Sequence, residues 1–350
     1  MNLLIVKLSA VGDVIHTLPS LAALRRLYPE AHITWLVEEA ASDLIAGHPY
    51  LDRVLVSKRK TWFRDLRSGR EIGRTLKEMK VFLEDLRDRP YDIVIDFHGL
   101  LKSAFLVFLS RGKRKLGYDS LQELSGWFYN EKIFEDMDKH AVPRYLDFVS
   151  RLGGDRENPE FHVPVSGENR TRVDRLLGKR GIGPGDPFIA VNPVAYWDTK
   201  LWDTEKFGEL CRRISGELGT PVVLTGSRGD GILREISERC PEAVNLAGET
   251  TLRDLAELYG RAALVVTTDS GPMHLAAAMG TPAVALFGPT DPKRTGPFGE
   301  NHVVIRKDLP CSPCLLKKCD RRTCMQDITV AEVLDAVGGL LRERRERKKG

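Results

Sequence analysis

Four short segments hold residue types that could act on a polar substrate. Ser9-Ala10-Val11-Gly12-Asp13 places a carboxylate between an apolar run and a helical pattern. Asp13 reads either as a cap that accepts backbone N–H bonds or as a general base that takes a proton from an attacking hydroxyl. Nothing local decides between the two. The segment has a single glycine where a dinucleotide fingerprint needs three. Thr267-Thr268-Asp269-Ser270-Gly271-Pro272-Met273-His274 is a strand end followed by a helix start. Ser270 can cap that helix, Gly271 lets a ligand approach the backbone, and Pro272 is tolerated in a first turn. The N–H groups and dipole of such a helix end suit a phosphate or pyrophosphate. His274, one turn in, could donate to a phosphate or sugar hydroxyl; the alternative is a plain strand-to-helix turn with a half-buried histidine.

The other two segments lie at neighbouring strand ends. In Asn192-Pro193-Val194-Ala195-Tyr196-Trp197-Asp198-Thr199-Lys200-Leu201-Trp202, Lys200 is either a point charge for a phosphate or a surface lysine between packing tryptophans. Thr225-Gly226-Ser227-Arg228 closes another strand on the same edge. Together these segments would line one side of a cleft with polar groups, as a nucleoside diphosphate site requires.

Two further patterns are charge and thiol. Between Ser57 and Lys80 stand nine basic residues, Lys58, Arg59, Lys60, Arg64, Arg67, Arg70, Arg74, Lys77 and Lys80, against three acidic ones. They form either a solvated helix face or a receptor for anions, because arginine forks match carboxylates and phosphates. Trp62, Phe63 and Leu66 could add contacts to acyl chains, and Lys102 could join the same surface. Arg342 to Lys349 holds six basic residues and two acidic ones, which would serve as a solubilising tail or rest on an anionic leaflet. Cys311-x2-Cys314-x4-Cys319-x4-Cys324 could hold zinc tetrahedrally or an iron–sulfur cluster. Its spacing matches no zinc module, so reduced thiols are the better reading and no metal is assigned.

The elements that must position these groups alternate. Asn2–Leu8 reads as a strand and Val14–Leu27 as a helix, with Leu18, Leu21, Leu24 and Leu27 at helical spacing. His32–Val37, Val54–Ser57 and Tyr91–Asp96 read as further strands, with a mixed loop and helix region between Ser57 and Lys80. Glycines and prolines crowd the stretch from Gly153 to Pro187, the best linker in the chain. A second, more regular series follows: strands at Phe188–Asn192, Pro221–Thr225, Val244–Ala247, Ala263–Thr268 and Pro282–Phe287, with helices between. Such alternation predicts parallel sheets with helices on both faces, and hence an α/β chain of two doubly wound lobes with ligands beyond the carboxyl ends of the strands. The lobes would span 1–165 and 166–328, with a C-terminal helix and basic tail over 329–350.

Length and composition agree. The 350 residues suffice for two domains, and 42% of them are hydrophobic, which excludes disorder and a disulfide-stapled miniprotein. A net charge of +4 argues against a dedicated nucleic-acid binder. No apolar run approaches a membrane span, Met1 to Leu8 lacks the marks of a signal peptide, and six cysteines in a chain this long fit a reducing cytoplasm.

The same motifs carry a resemblance. Lys7-Leu8-Ser9-Ala10-Val11-Gly12-Asp13-Val14-Ile15-His16-Thr17-Leu18-Pro19 resembles the opening of the bacterial lipopolysaccharide heptosyltransferases. Thr268 to Leu275 and Phe287-Gly288-Pro289-Thr290-Asp291-Pro292 are similar to their donor-side signature. Asp96-Phe97-His98-Gly99-Leu100-Leu101-Lys102-Ser103 and Phe128-Tyr129-Asn130 are closest to the type I enzymes, which add the first heptose to the inner core. The resemblance implies two Rossmann-like lobes of the GT-B kind with an interlobe cleft, ADP-heptose as donor, and Kdo-lipid A as acceptor. It also implies an inverting transfer without metal or other cofactor, on the cytoplasmic side of the inner membrane and in peripheral contact with its anionic leaflet. Asp13 falls on the family's catalytic base. Lys200, Asp269, Ser270, Gly271 and His274 fall on its donor-contacting positions, with Ala195, Tyr196, Gly226 and Arg228 beside them. Lys58, Arg59, Lys60, Arg64, Arg67 and Lys102 are the expected acceptor-binding cations. Type I enzymes carry two small hydroxyl residues where this chain has Ala195 and Tyr196, and a ribose-binding glutamate where it has Arg228. The rivals are a type II enzyme, a relative using another sugar or acceptor, and a zinc-stabilised nucleic-acid-binding protein.

Overall fold

The computed structural model describes residues 1–120 and 122–347. It forms two compact units, Met1–Pro164 and Val165 onward. The first runs β1 (Asn2–Val6), α1 (Val11–Leu27), β2 (His32–Glu38), α2 (Glu39–Ile45), β3 (Arg53–Ser57), α3 (Arg59–Ser68), α4 (Ile72–Leu86), β4 (Ile93–Asp96), α5 (Leu101–Leu109), β5 (Arg114–Tyr118), β6 (Glu131–Ile133) and α6 (Ala141–Arg151). Its six strands are parallel, in the order β3-β2-β1-β4-β5-β6. Leu3 to Val6 are fully buried on successive sides of β1. That unbroken apolar run is what a strand covered by helices on both faces needs.

The second unit runs α7 (Gly167–Gly178), β7 (Ile189–Asn192), α8 (Thr204–Glu217), β8 (Val222–Leu224), α9 (Gly231–Arg239), β9 (Val244–Asn245), α10 (Leu252–Arg261), β10 (Leu264–Thr268), α11 (Gly271–Ala278), β11 (Ala283–Phe287), α12 (Pro292–Thr295), β12 (His302–Arg306), α13 (Thr323–Gln326) and α14 (Val330–Arg347). Its parallel sheet is ordered β12-β11-β10-β7-β8-β9. Numbered within its own unit, that is the same 3-2-1-4-5-6 order as the first. Both sheets therefore reverse direction beside their first strand, at β1/β4 and at β7/β10. A crevice opens at such a switch point, because the flanking connections leave to opposite sides.

Helix α14 belongs to the second unit's core. Val333, Val337 and Leu340 are buried with Phe207, Leu210 and Ile214 of α8. Arg344 bonds the Ala262 and Ala263 carbonyls, so this member of the basic tail is bound to the body. Lys348 and Lys349 lie outside the described residues. Among the described residues no helix is long and apolar enough to cross a membrane.

Several elements departed from their sequence signal. Helix α1 begins at Val11 rather than Val14, with Ala10 as its N-cap, so Asp13 sits inside the first turn. Strand β5 was not anticipated, because Arg-Lys-Leu-Gly-Tyr has little apolar periodicity. Its Gly117 is needed where the Tyr129 ring crosses, since a Cβ there would lie 2.2 Å from the ring.

Candidate active site

In the first unit, β1, β4 and α6 converge on Asp13. Lys7 leaves the end of β1 into the interior, where its ammonium donates to the Phe97 carbonyl at 2.8 Å and to the Tyr145 hydroxyl at 2.7 Å. Tyr145, on α6, in turn donates to Asp13 Oδ1 at 3.1 Å. Lys7 Nζ stands 3.8 Å from the same oxygen. Asp13 Oδ2 accepts the Ala10 N–H at 3.1 Å. One Asp13 oxygen thus closes the helix start, and the other faces a buried cation. Its side chain keeps 43% exposure, so the carboxylate remains reachable. Lost hydration alone would push its pKa up. The Lys7 ammonium, the Ala10 N–H and the Tyr145 hydroxyl outweigh that and hold it below the usual carboxylate range.

His98, after β4, completes this end of the sheet. Burial, with the charges of Lys7 and Lys102, lowers its pKa to about 3, so the imidazole is neutral. The loop carrying it is pinned by Asp96, which is fully buried and accepts the His98 and Gly99 N–H groups and the Tyr129 hydroxyl.

In the second unit, Lys200 and Asp269 meet at 2.6 Å across the β7/β10 switch point. Both side chains are largely buried. Thr290, from the Gly288–Pro292 turn, donates to the same Asp269 oxygen at 2.5 Å, and Lys200 Nζ lies 4.6 Å above the Trp197 ring. Lys317 approaches that ring as well, at 5.3 Å. Asp269 therefore orients a cation rather than facing outward alone. Thr268 donates to the Val194 carbonyl at 3.0 Å and ties the two strand ends together.

Ser270 occupies the N-cap position of α11, but the cap expected of it is absent. Its hydroxyl donates back to the Thr268 carbonyl at 3.3 Å, and no side chain caps the helix. An uncapped helix start beside a fixed ammonium is an anion-binding arrangement. His274 is buried in the first turn of α11, and Gly271 opens it. Ala195 is half-buried, whereas Tyr196 projects into solvent at 96% exposure. A Cβ at Gly226 would lie 2.5 Å from the tip of Leu233, so a larger residue there would have to displace that side chain. Arg228 is exposed on the turn that follows.

The basic stripe resolves into α3 and α4, broken at Gly69. Arg59 bonds the buried Glu38 at 2.8 Å, and Lys60 reaches it at 3.6 Å. Lys102, from the start of α5, belongs to the same group: burial lowers its pKa and Glu38 opposes that, while the Arg59 and Lys60 charges lower it further. Lys58 instead reaches Glu78 at 4.0 Å, Arg64 pairs with Asp65, and Arg67 is exposed on the far turn of α3. Trp62 does not face acyl chains. It is buried against Phe82 and donates to Glu78, because α4 supplies an apolar partner that the charge run concealed; Phe63 remains 64% exposed.

The cysteine segment packs on the Gly288–Pro292 turn. Cys314 and Leu315 N–H groups bond the Pro289 carbonyl, and Thr199 donates to the Leu316 carbonyl at 2.7 Å. Among the described residues no group of three or more His, Cys, Asp or Glu is arranged to hold a metal ion.

Comparison with known proteins decides the class. The profile of glycosyltransferase family 9 (heptosyltransferase) matches residues 79–324. The chain belongs to that family. It is 34% identical to lipopolysaccharide heptosyltransferase 1 of Pseudomonas aeruginosa over 335 residues, 93% of this chain and 90% of the relative. The Escherichia coli K12 protein of the same name is 31% identical over 87% of this chain and 93% of its own. Among solved structures, a family 9 glycosyltransferase from Veillonella parvula superposes with a TM-score of 0.84 at 25% identity, covering 98% of this chain and 97% of that one. The E. coli heptosyltransferase WaaC with ADP gives 0.79 at 26% identity, covering 97% and 100%. This family 9 chain is thus a heptosyltransferase of lipopolysaccharide core synthesis with the two-lobed α/β fold of its relatives, and the nucleic-acid-binding alternative falls away.

Sequence reasoning missed Tyr145 and Lys317 altogether, and gave no individual role to Lys7 and Thr290, which it met only inside the motifs that resemble the family. A lysine inside an apolar strand end was the one available signal, since Lys7 must find a partner to be buried there.

Proposed function

We propose that this family 9 enzyme transfers L-glycero-D-manno-heptose from ADP-heptose to a Kdo residue of Kdo-lipid A, with inversion and without a metal ion. The observation that carries this reading is the Asp13 carboxylate, held ionised yet reachable by Lys7 and Tyr145 at the first unit's switch point. Relatives named lipopolysaccharide heptosyltransferase 1 support the type I reading, and solved structures with ADP and with ADP-2-deoxy-2-fluoro heptose support the donor.

Asp13 takes the proton from an acceptor hydroxyl as that oxygen bonds the anomeric carbon on the face opposite ADP. The carbon–oxygen bond to the diphosphate breaks, and its electron pair leaves with ADP. A carboxylate of depressed pKa is a weak base, which suits a reaction where the proton departs late, once the hydroxyl has been acidified by bonding to carbon. Lys200 and the uncapped start of α11 take up the charge growing on the diphosphate. Asp269 and Thr290 keep that ammonium in place before the donor arrives, and Lys317 adds a second positive charge. This cationic arrangement does what a divalent ion does in other transferases. Ala195, Tyr196, Gly226 and Arg228 border the nucleotide, and Arg228 in place of a carboxylate would favour a negatively charged or carbonyl-bearing edge. The Arg59, Lys60 and Lys102 group, with Lys58 at the cap of α3 and Arg64 and Arg67 along that helix, meets the carboxylates and phosphates of the acceptor. The enzyme works on the cytoplasmic face of the inner membrane as a peripheral protein.

The test is mass spectrometry of products from ADP-heptose offered with Kdo-lipid A and with already heptosylated core, each with and without EDTA. Heptosylation of Kdo-lipid A alone, unaffected by chelation, is the expected result. Transfer only to heptosylated core assigns a type II activity, and loss with EDTA removes the metal-free mechanism.

A further inference from the structure

Helix α5 is apolar on both of its faces. Ala104 and Val107 point into the core, while Leu101, Phe105 and Phe108 recur on the outer face with 44, 52 and 57% exposure. A helix that is apolar all round is normally buried. The turn segment Gln122–Phe128 packs beside α5 and extends the stripe with Leu124 and Trp127, 52 and 75% exposed. Phe108 meets Phe128 edge-on at 6.0 Å, and the Lys115 ammonium sits 5.6 Å from the Phe108 ring. Scattered exposed apolar residues need no explanation, but a contiguous patch marks a binding surface.

The charge around the patch identifies the partner. At the start of α5, Lys102 lies within electrostatic reach of Arg59 and Lys60, and Lys115 flanks the other end. An apolar stripe with Lys102 and Lys115 at its rim, the Glu123 carboxylate accepting the Leu101 N–H at 3.2 Å, and an indole at its edge, matches the boundary of an anionic leaflet. A second copy of this chain fits less well, because a two-fold contact lays the same patch on itself and brings like charges together.

We propose that the outer face of α5 and the 122–128 segment dock the enzyme on an anionic bilayer. Phe105, Phe108 and Trp127 enter the acyl boundary, and Lys102 and Lys115 meet the headgroup phosphates. The proposal gives a surface to the peripheral membrane contact proposed above. It places the cation group that would receive the acceptor's head at the edge of the membrane that holds the acceptor's tail.

The experiment is sedimentation of the full chain with vesicles of phosphatidylcholine, with and without phosphatidylglycerol, in the absence of donor and acceptor. The parent should bind the anionic vesicles more tightly, with a blue shift of tryptophan emission. Phe105→Ser/Phe108→Ser should weaken that binding roughly tenfold or more, and Trp127→Ser should abolish the blue shift. Both should melt cooperatively like the parent, and Leu316→Ser, an exposed change in the other unit, should bind normally. Unchanged vesicle binding in the double variant overturns the proposal, as does equal binding to uncharged vesicles. A parent dimer that the double variant converts to monomer, with vesicle affinity intact, assigns the face to a second copy instead. No sugar transfer is read, so a wrong acceptor leaves this result standing.

Discussion

At the switch point of the first unit, a buried lysine, a tyrosine and a neutral histidine surround one reachable carboxylate. At the switch point of the second, a carboxylate is buried and a lysine stands over it beside an uncapped helix. The strand order is the same in both, so topology supplies the crevice and the residues at the strand ends supply the sign of its charge. Asp13 and Asp269 illustrate the difference. Each lies within salt-bridge distance of a lysine, yet Asp13 keeps an open face while Asp269 is 5% exposed and bonded to Thr290. One arrangement suits proton removal, and the other suits holding a cation still for a diphosphate.

Breaking the first unit's half should have the largest effect. Asp13→Asn should lower kcat by about 100- to 10,000-fold, the usual range for loss of a general base. The rise in melting temperature caused by ADP should persist. If ADP no longer stabilises the variant, the division of labour between the units is wrong.

Breaking the second unit's half should affect both stability and donor binding. Lys200→Ala leaves Asp269 buried without its cation, a loss on the order of 3 kcal/mol, and should abolish the stabilisation by ADP. Lys200→Met combined with Asp269→Asn should recover most of the melting temperature and none of the ADP response, as read by thermal denaturation. Recovery of both would reduce the pair to scaffolding.

Smaller changes sharpen the contrast. Tyr145→Phe removes a hydrogen bond from the ionised Asp13, so its pKa should rise. The base works above its pKa, so the acid limb of kcat/KM should move to higher pH, while at neutral pH, where Asp13 stays ionised, the rate should change little; an acid limb that does not move would deny Tyr145 this role. Lys317→Ala should weaken ADP severalfold in calorimetry while leaving the acceptor KM unchanged. Lys60→Ala removes an exposed ammonium from the buried Glu38, which keeps its Arg59 partner, so it should alter stability by no more than about 1 kcal/mol and raise the acceptor KM.

Much of this architecture could be read directly. The alternation of apolar runs and helical spacings determined the parallel α/β class, since strand and helix periods are local properties of the chain. The four strand-end segments were legible for the same reason: glycine, proline and polar residues after an apolar run mark a βα turn. Asp13 was singled out, but its role was not, because cap and base place the same residue type at the same position.

Only the tertiary structure decided the partners. Lys7 and Tyr145 are 138 residues apart, and Lys200 and Thr290 approach Asp269 from two further loops. Trp62 looked like part of a charged surface until α4 covered it, and the bare outer face of α5 had no counterpart in the sequence reading. Periodicity states which side of an element is apolar. What that side meets, and which charges neutralise one another, depends on contacts between distant segments that exist only once both sheets have closed.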